Sequence, residues 1–207
     1  FVLTGGVAAA ELLLLSLGRS QDPSSGGRQM PQHYGHKTLR VVSQSSPTGT
    51  QYLQAVGTAM ACKKKAGDEV VYVSSGEGAT SQGDFYEAIN WATRDSLPVI
   101  FFIQDNNYAI SVPRSQQTTG DSVYELVMGY GNLHRPRLNG LDPVEVKKVV
   151  RHCVQRARKG EGPSLVVANT IRLASHSSSD DQRKYREAGE LEQEKQLDPL
   201  AQLAQQL

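Results

Sequence analysis

Two short, almost uninterrupted apolar runs, residues 70–74 and 98–103, constrain this chain most. The first precedes, and the second lies within, the segment GEGATSQGDFYEAINWATRDSLPVIFFIQDNNYAIS. Strands apolar at consecutive positions are buried on both faces, which is the habit of parallel sheets covered by helices. Between the runs stand a glycine turn carrying one carboxylate, Glu77, and a helical stretch at residues 84–94. After the second run come two amides, Asn106 and Asn107. The order strand, helix, strand places Glu77 and Asn106 at the carboxyl ends of two strands, where ligands bind on open α/β sheets. Glu77 and Asn106 offer hard oxygen ligands of the kind a divalent cation takes, and glycine backbone approaches a phosphate with no Cβ in the way. On the residues alone, Glu77 also reads as a solvent-facing turn carboxylate and Asn106 as a turn former.

The rest of the chain continues the alternation. Residues 8–17 read as a helix with a leucine-rich face, followed by a Ser/Gly/Pro loop at 20–27 and an irregular loop, GRQMPQHYG, at 27–35. Ser45, Ser46, Pro47 and Thr48 lead into a helix at 50–65, on which Leu53, Gly57 and Ala61 form a stripe suited to close packing against another helix or subunit. Asp142 is a good cap for a helix at 143–159, with Pro143 at its first position and Gly160 and Gly162 closing it. Residues 164–168 supply another strand. The expected architecture is α/β, a doubly wound, mainly parallel sheet, and no internal repeat is visible.

Composition narrows the function classes. With 207 residues, 38% hydrophobic and 21% charged, the chain can bury a globular core. Its net charge is +1, and its basic residues are scattered apart from Lys63, Lys64 and Lys65, a run that favours a helix end. No nucleic-acid partner is expected. Cys62 and Cys153 have no zinc-ligand spacing and imply no disulfide framework, so a reducing compartment is the default. The apolar run at 12–17 is too short to span a bilayer and lacks a basic signal region, so no membrane association is expected. A chain starting at Phe1 and stopping inside a helical pattern near Gln205 reads as a piece of a longer protein.

Five separated segments, GRQMPQHYG, SSPTGTQYLQAVG, GEGATSQGD, FFIQDNNYAIS and IRLASHSSSDDQRKYR, stand in one order. That order resembles the alpha subunit of branched-chain 2-oxo acid dehydrogenases, from Gly27 to about Arg186, and fused alpha-beta bacterial relatives look similar. The Gly-acidic-Gly followed about thirty residues later by an Asn pair is similar to the thiamine diphosphate signature. The resemblance implies a thiamine diphosphate-binding α/β domain at 37–186, preceded by a helix and loop segment at 1–36 and followed by the start of a helical extension at 187–207. It implies oxidative decarboxylation of a branched-chain 2-oxo acid, with acyl transfer to a lipoyl group on an acyltransferase component. Within enzymes, a pyruvate or acetoin dehydrogenase alpha subunit shares the metal motif; outside enzymes, the alternative is an inactive assembly scaffold.

The resemblance also assigns residues. Glu77, the Asn106 side chain and the Tyr108 carbonyl are implied to bind Mg²⁺, and Ser46, Thr48, Gly76, Gly78, Ala79, Gln104 and His176 to line thiamine diphosphate. Relatives often carry glycine where Asn107 stands. His176 is the implied catalytic residue, projecting into the site from a polar loop that Arg172, Asp180, Asp181, Tyr185 and Arg186 hold in place. Ser177 matches a position at which mitochondrial relatives are phosphorylated. Ser45, Pro47, Thr50 and Gln51 match a potassium-binding loop, although the residues alone also read as a helix cap region. His33 reads either as lining the substrate channel or as a loop histidine bonded to backbone. The aminopyrimidine half of the site is implied to come from a beta subunit or fused beta region, in the bacterial cytoplasm or the mitochondrial matrix.

Overall fold

The computed structural model describes residues 5–120 and 122–206, so the ends of the expected first and last segments, residues 1–4 and 207, lie outside the described residues. Two compact units emerge, the first ending at Gln51 and the second starting at Tyr52.

In the first unit, helix α1 (Ala9–Ser16) begins where the Glu11 carboxylate accepts the Ala8 N–H at 2.9 Å. Beyond it the buried Asp22 carboxylate collects the N–H groups of Ser24, Ser25 and Gly27, and this ties the loop together. Gly27 takes a φ of 75°, and a Cβ there would sit 2.4 Å from the Gly18 carbonyl carbon, so only glycine fits.

The second unit is built on a four-stranded sheet, β1 (Val71–Gly76), β2 (Val99–Asp105), β5 (Arg137–Asn139) and β6 (Ser164–Asn169), in the order β1-β2-β6-β5. Every ladder is parallel. Strand β2 lies inside the sheet, and its alternate residues divide between two apolar layers. Val99, Phe101 and Ile103 join one cluster with Tyr52, Ala55, Val56 and Ala59 of α2 (Thr50–Lys64) and with Phe85, Ala88, Ile89 and Ala92 of α3 (Gly83–Arg94). Ile100 and Phe102 join the other, with Leu138, Val166, Ala168 and Cys153 of α6 (Pro143–Arg158). Helices therefore cover both faces, and the sheet is doubly wound, as the alternation of elements implies. Asp142 caps α6 by accepting the N–H groups of Val144 and Glu145 at 2.8 and 3.1 Å.

One sequence expectation needs correction, and a second is met only in part. Burial on both faces holds for β2 and β6 but not for β1, whose Tyr72 remains 39% exposed at the end of the described strand order. Within this chain the packed side of α2 is not the stripe of Leu53, Gly57 and Ala61, and packing of that stripe against another subunit stays an expectation. Leu53 touches the core, whereas Gly57 and Ala61 are exposed and nothing lies within 4 Å of a Cβ at Gly57. Tyr52 anchors the packed side instead, and its hydroxyl bonds to Ser75 at the end of β1. Burial pushes the Tyr52 hydroxyl pKa up to about 12.

Several short elements carry no periodicity that a sequence reading detects. They are a 3-10 turn (Glu77–Ser81), a hairpin of β3 (Tyr108–Ala109) and β4 (Val112–Pro113), the one-turn helices α4 (Arg114–Gln117) and α5 (Val123–Leu126), and β5. A second 3-10 turn (Gln182–Lys184) precedes α7 (Ala188–Gln196) and α8 (Pro199–Gln206). Among the described residues no helix is long and apolar enough to cross a membrane.

Phe101 is fully buried at the centre of β2. Phe101→Ala should destabilise the unit by about 3–5 kcal/mol through lost burial and an unfilled cavity. Urea unfolding should show a lower midpoint at unchanged slope; an unchanged midpoint would show that this side chain does not hold the two layers together.

Candidate active site

Parallel pairing in the register Gly76↔Gln104 ends β1 and β2 within one residue of each other. The residues that follow, Glu77 and Asn106, therefore emerge side by side at the carboxyl edge of the sheet. Glu77 opens the 3-10 turn and is fully buried. Its Oε2 accepts the Asn106 N–H at 3.2 Å, while its Oε1 is buried without a hydrogen-bond partner among the described residues. Desolvation raises the Glu77 pKa above the ordinary carboxylate range, opposed by that backbone hydrogen bond. A buried carboxylate with an orphaned oxygen is costly for an apo protein and apt for one that receives a cation. The solvent-facing turn reading of Glu77 is excluded by its burial.

Asn106 forms a turn on its own backbone, its Oδ1 accepting the Tyr108 N–H at 3.1 Å. Asn107 stands in the left-handed region with φ 69°. Glycine adopts that conformation most easily and asparagine tolerates it, so Asn107 can hold this turn. Gly78 packs so closely on the hairpin that a Cβ would come within 2.8 Å of the Ala109 Cβ. Gly76 is exposed, and the nearest atom to a Cβ there is the Gln104 carbonyl oxygen at 3.9 Å. Ala79 packs partly against the core. Gln104 continues the Ile100 and Phe102 side of β2 and lines a cleft of about 790 Å³ with Tyr72, Phe102, Leu141, Val150 and Leu203. Among the described residues there is no cluster of three or more His, Cys, Asp or Glu that could hold a metal. The strand ends instead bring one buried carboxylate, Glu77, beside the amide turn of Asn106.

The sequence reading did not single out the residues that brace this edge. Asp105, with its side chain fully buried, accepts the Asn107 N–H at 3.2 Å and pairs with the Arg114 guanidinium at 2.6 Å. Arg114 also donates its backbone N–H to the Asn107 carbonyl at 2.8 Å. Gln117, one turn further along α4, donates from Nε2 to the Gly78 carbonyl and to Ser81 Oγ, both at 2.8 Å. Strands of two residues give no alternation to read, so the pairing that brings Arg114 back to Asp105 has no sequence signal.

The polar segment near His176 is braced by the residues expected to hold it, with one exception. Asp180 accepts the His176 backbone N–H and the Tyr185 hydroxyl, and Arg172 donates to that hydroxyl and to the Ile110 carbonyl. Arg186 has a fully buried side chain, pairs with Glu190 at 2.6 Å and Glu194 at 2.7 Å, and places its guanidinium 4.8 Å from the Tyr108 ring centroid. The Tyr108 hydroxyl donates to Glu190. Asp181 is the exception: it pairs with the exposed Arg183. His176 is exposed, and no hydrogen bond among the described residues ties it to Glu77 or Asn106. Ser177 is exposed beside it.

Ser45, Ser46, Pro47, Thr48, Thr50 and Gln51 belong to the first unit. Thr50 Oγ1 bonds to Ser45 Oγ and donates to the Pro47 carbonyl at 2.9 Å, and Gln51 Oε1 accepts the Gly49 N–H. Ser46 Oγ bonds to His33 Nε2 at 3.1 Å, while Thr48 is exposed.

A parallel, doubly wound sheet with a buried acidic turn and an amide turn at adjacent strand ends is the thiamine diphosphate-binding type of α/β fold. The transketolase of Campylobacter jejuni shares the fold, with a TM-score of 0.57 and 24% identity over 76% of this chain and 24% of that one. The chain belongs to the dehydrogenase E1 component family, whose model matches residues 1–207. It is 44% identical over 199 residues to 2-oxoisovalerate dehydrogenase subunit alpha of Bacillus subtilis, covering 96% of this chain and 60% of that protein. It is 40% identical over 191 residues to the mitochondrial 2-oxoisovalerate dehydrogenase subunit alpha of Mus musculus, covering 92% of this chain and 43% of that one. The chain thus spans 60% or less of the length of these two relatives.

Two outcomes test this geometry. Because the folded-state pKa of Glu77 lies above its unfolded value, the cation-free protein carries a penalty at neutral pH. That penalty is relieved as pH falls through the raised pKa and is gone below the ordinary carboxylate value. Glu77→Gln should therefore raise apo stability at neutral pH by about 1 kcal/mol, on the scale of an unpaired buried group, with the gain fading in acid. Thermal midpoints across pH measure it, and equal midpoints throughout would mean that the carboxylate is hydrated. At the adjacent turn, Asn107→Gly should be close to neutral, whereas Asn107→Val should cost about 1–3 kcal/mol for forcing a β-branched residue to positive φ. Denaturant titration distinguishes them, and equal midpoints would remove the left-handed turn as a constraint.

Proposed function

We propose that this chain is the diphosphate- and magnesium-binding part of a branched-chain 2-oxo acid dehydrogenase. The observation that carries this reading is the fully buried Glu77, with one carboxylate oxygen lacking a partner, beside Asn106 at the carboxyl edge of β1 and β2. Family membership and the similarity to 2-oxoisovalerate dehydrogenase alpha subunits support it.

In this reading Glu77, the Asn106 amide oxygen and the Tyr108 carbonyl hold Mg²⁺, and the ion carries thiamine diphosphate. Glu77 supplies the charged oxygen that offsets the cation, and Gly76 and Gly78 let the main chain come close to phosphate oxygens. Ala79, Gln104, Ser46 and Thr48 complete the contacts of this chain with the cofactor. When bound, thiamine diphosphate supplies the carbanion that a 2-oxo acid needs in order to lose carbon dioxide. His176 exchanges a proton with the substrate from the polar segment that Asp180, Arg172 and Tyr185 brace. Ser45, Pro47, Thr50 and Gln51 hold a potassium ion through the oxygens that gather at the start of α2.

The proposed partners are a beta subunit or fused beta region, which closes the other half of the site, and a lipoyl-bearing acyltransferase component that accepts the acyl group. The proposed location is the bacterial cytoplasm or the mitochondrial matrix.

Calorimetry on the assembled protein tests the assignment. Glu77→Ala should abolish magnesium-dependent binding of thiamine diphosphate, and unchanged magnesium dependence would sink it. Turnover of a branched-chain 2-oxo acid should require the beta portion, and robust turnover by this chain alone would show that the division of the site is wrong.

A further inference from the structure

The one-turn helix α4 touches both arms of the strand-end site, and it does so with side chains whose partners have no other link to it in sequence. Arg114, at its start, engages the Asn106 arm through the buried Asp105 carboxylate at 2.6 Å and the Asn107 carbonyl at 2.8 Å. Gln117, at its end, engages the acidic turn through the Gly78 carbonyl and Ser81 Oγ, both at 2.8 Å. The two arms also meet directly, with Gly78 packed on Ala109 so tightly that no side chain fits between them. The donors of this four-residue helix thus span the gap between one metal-ligand turn and the other.

We propose that α4 is a buckle that fixes the separation of the Glu77 and Asn106 turns, and that Arg114 and Gln117 are positioning residues that set which divalent cation the site accepts. The proposal rests on the magnesium reading of Glu77 and Asn106. Mg²⁺ demands near-octahedral oxygens at roughly 2.0–2.1 Å, while Ca²⁺ accepts looser, larger shells at roughly 2.3–2.6 Å. Arms held at constant separation discriminate against the larger ion, because its longer bonds require the turns to move apart. Removing either tie lets them move. Asp105 contributes through the geometry of its bonds to Arg114 and Asn107, which close the turn carrying Asn106.

The test compares magnesium and calcium titrations of the assembled protein in the presence of thiamine diphosphate, read by calorimetry. Arg114→Gln and Gln117→Leu should each weaken magnesium binding about tenfold, in line with the loss of groups that orient metal ligands. Calcium binding should weaken less, so the affinity ratio shifts toward calcium. Arg114→Lys, which keeps a cation for Asp105, should recover much of the preference. If Arg114→Gln does not fold, the double variant Asp105→Asn/Arg114→Gln, which keeps a hydrogen-bonded neutral pair, takes its place. Folded variants with the wild-type magnesium affinity and ion preference, alongside a Glu77→Ala variant that has lost magnesium binding, would overturn the buckle and leave the metal site standing. Equal loss for both ions at an unchanged ratio would overturn the selectivity role. Magnesium binding undiminished in Glu77→Ala would remove the site itself, and the buckle with it.

Discussion

The parallel ladder between β1 and β2 governs the geometry of the site, because its register decides which residues share the carboxyl edge. With Val71 opposite Val99 and Gly76 opposite Gln104, β2 runs one residue past β1, and the first residues beyond the two strands, Glu77 and Asn106, meet through the Asn106 N–H and Glu77 Oε2. A slip of one residue would turn Phe101 and Ile103 from one apolar layer to the other and shift Glu77 relative to Asn106. Burial enforces the register: the side chains of β2 alternate between two separately filled layers, and neither layer accepts the other's set. The site is positioned by the core beneath it and gains precision from the close packing there.

At the edge itself, stability and function pull in opposite directions. Glu77 is withdrawn from water with only one of its oxygens bonded, an arrangement that disfavours the ionised form and penalises the apo fold. The same withdrawal strengthens the interaction of that carboxylate with a bound cation, since a low local dielectric amplifies attraction as much as it does the cost of isolation. Neighbouring charge is balanced locally, with Arg114 against Asp105.

A second polar layer surrounds Tyr108. The Arg186 guanidinium, buried between Glu190 and Glu194, lies over the Tyr108 ring, and the Tyr108 hydroxyl reaches Glu190. Arg172 reaches the same hairpin at Ile110 while bonding to Tyr185. Buried charges of this kind depend on their partners, and with Glu194 Oε2 and Arg172 Nε already lacking a hydrogen bond among the described residues, the loss of one partner strands the others. The charged segment that follows β6 is in this way tied to the hairpin carrying Tyr108, and its order derives from paired charges, with few apolar anchors.

Much of the frame was legible in the chain itself. Consecutive apolar residues in β2 and β6 declared a covered parallel sheet, Asp142 and Pro143 declared the start of α6, and the glycine turn and amide pair declared the ends of β1 and β2. These signals are local: a strand, a cap or a glycine turn is written in neighbouring residues by steric preference and periodicity. The half-exposure of β1 and the side of α2 that packs inward were not written there, because each depends on which other element lies alongside. Least legible were the braces, Asp105 with Arg114, Gln117 with Gly78, and Arg186 with Glu190 and Glu194. The first two depend on a hairpin of two-residue strands and a single helical turn, too short for any period to show, and the last requires a buried arginine to meet two carboxylates one and two turns further along. Residue type and local pattern determined the sheet and the helices. Only the folded chain, by bringing short elements into contact, decided how firmly the two ligand turns are held and that Glu77 lies out of water.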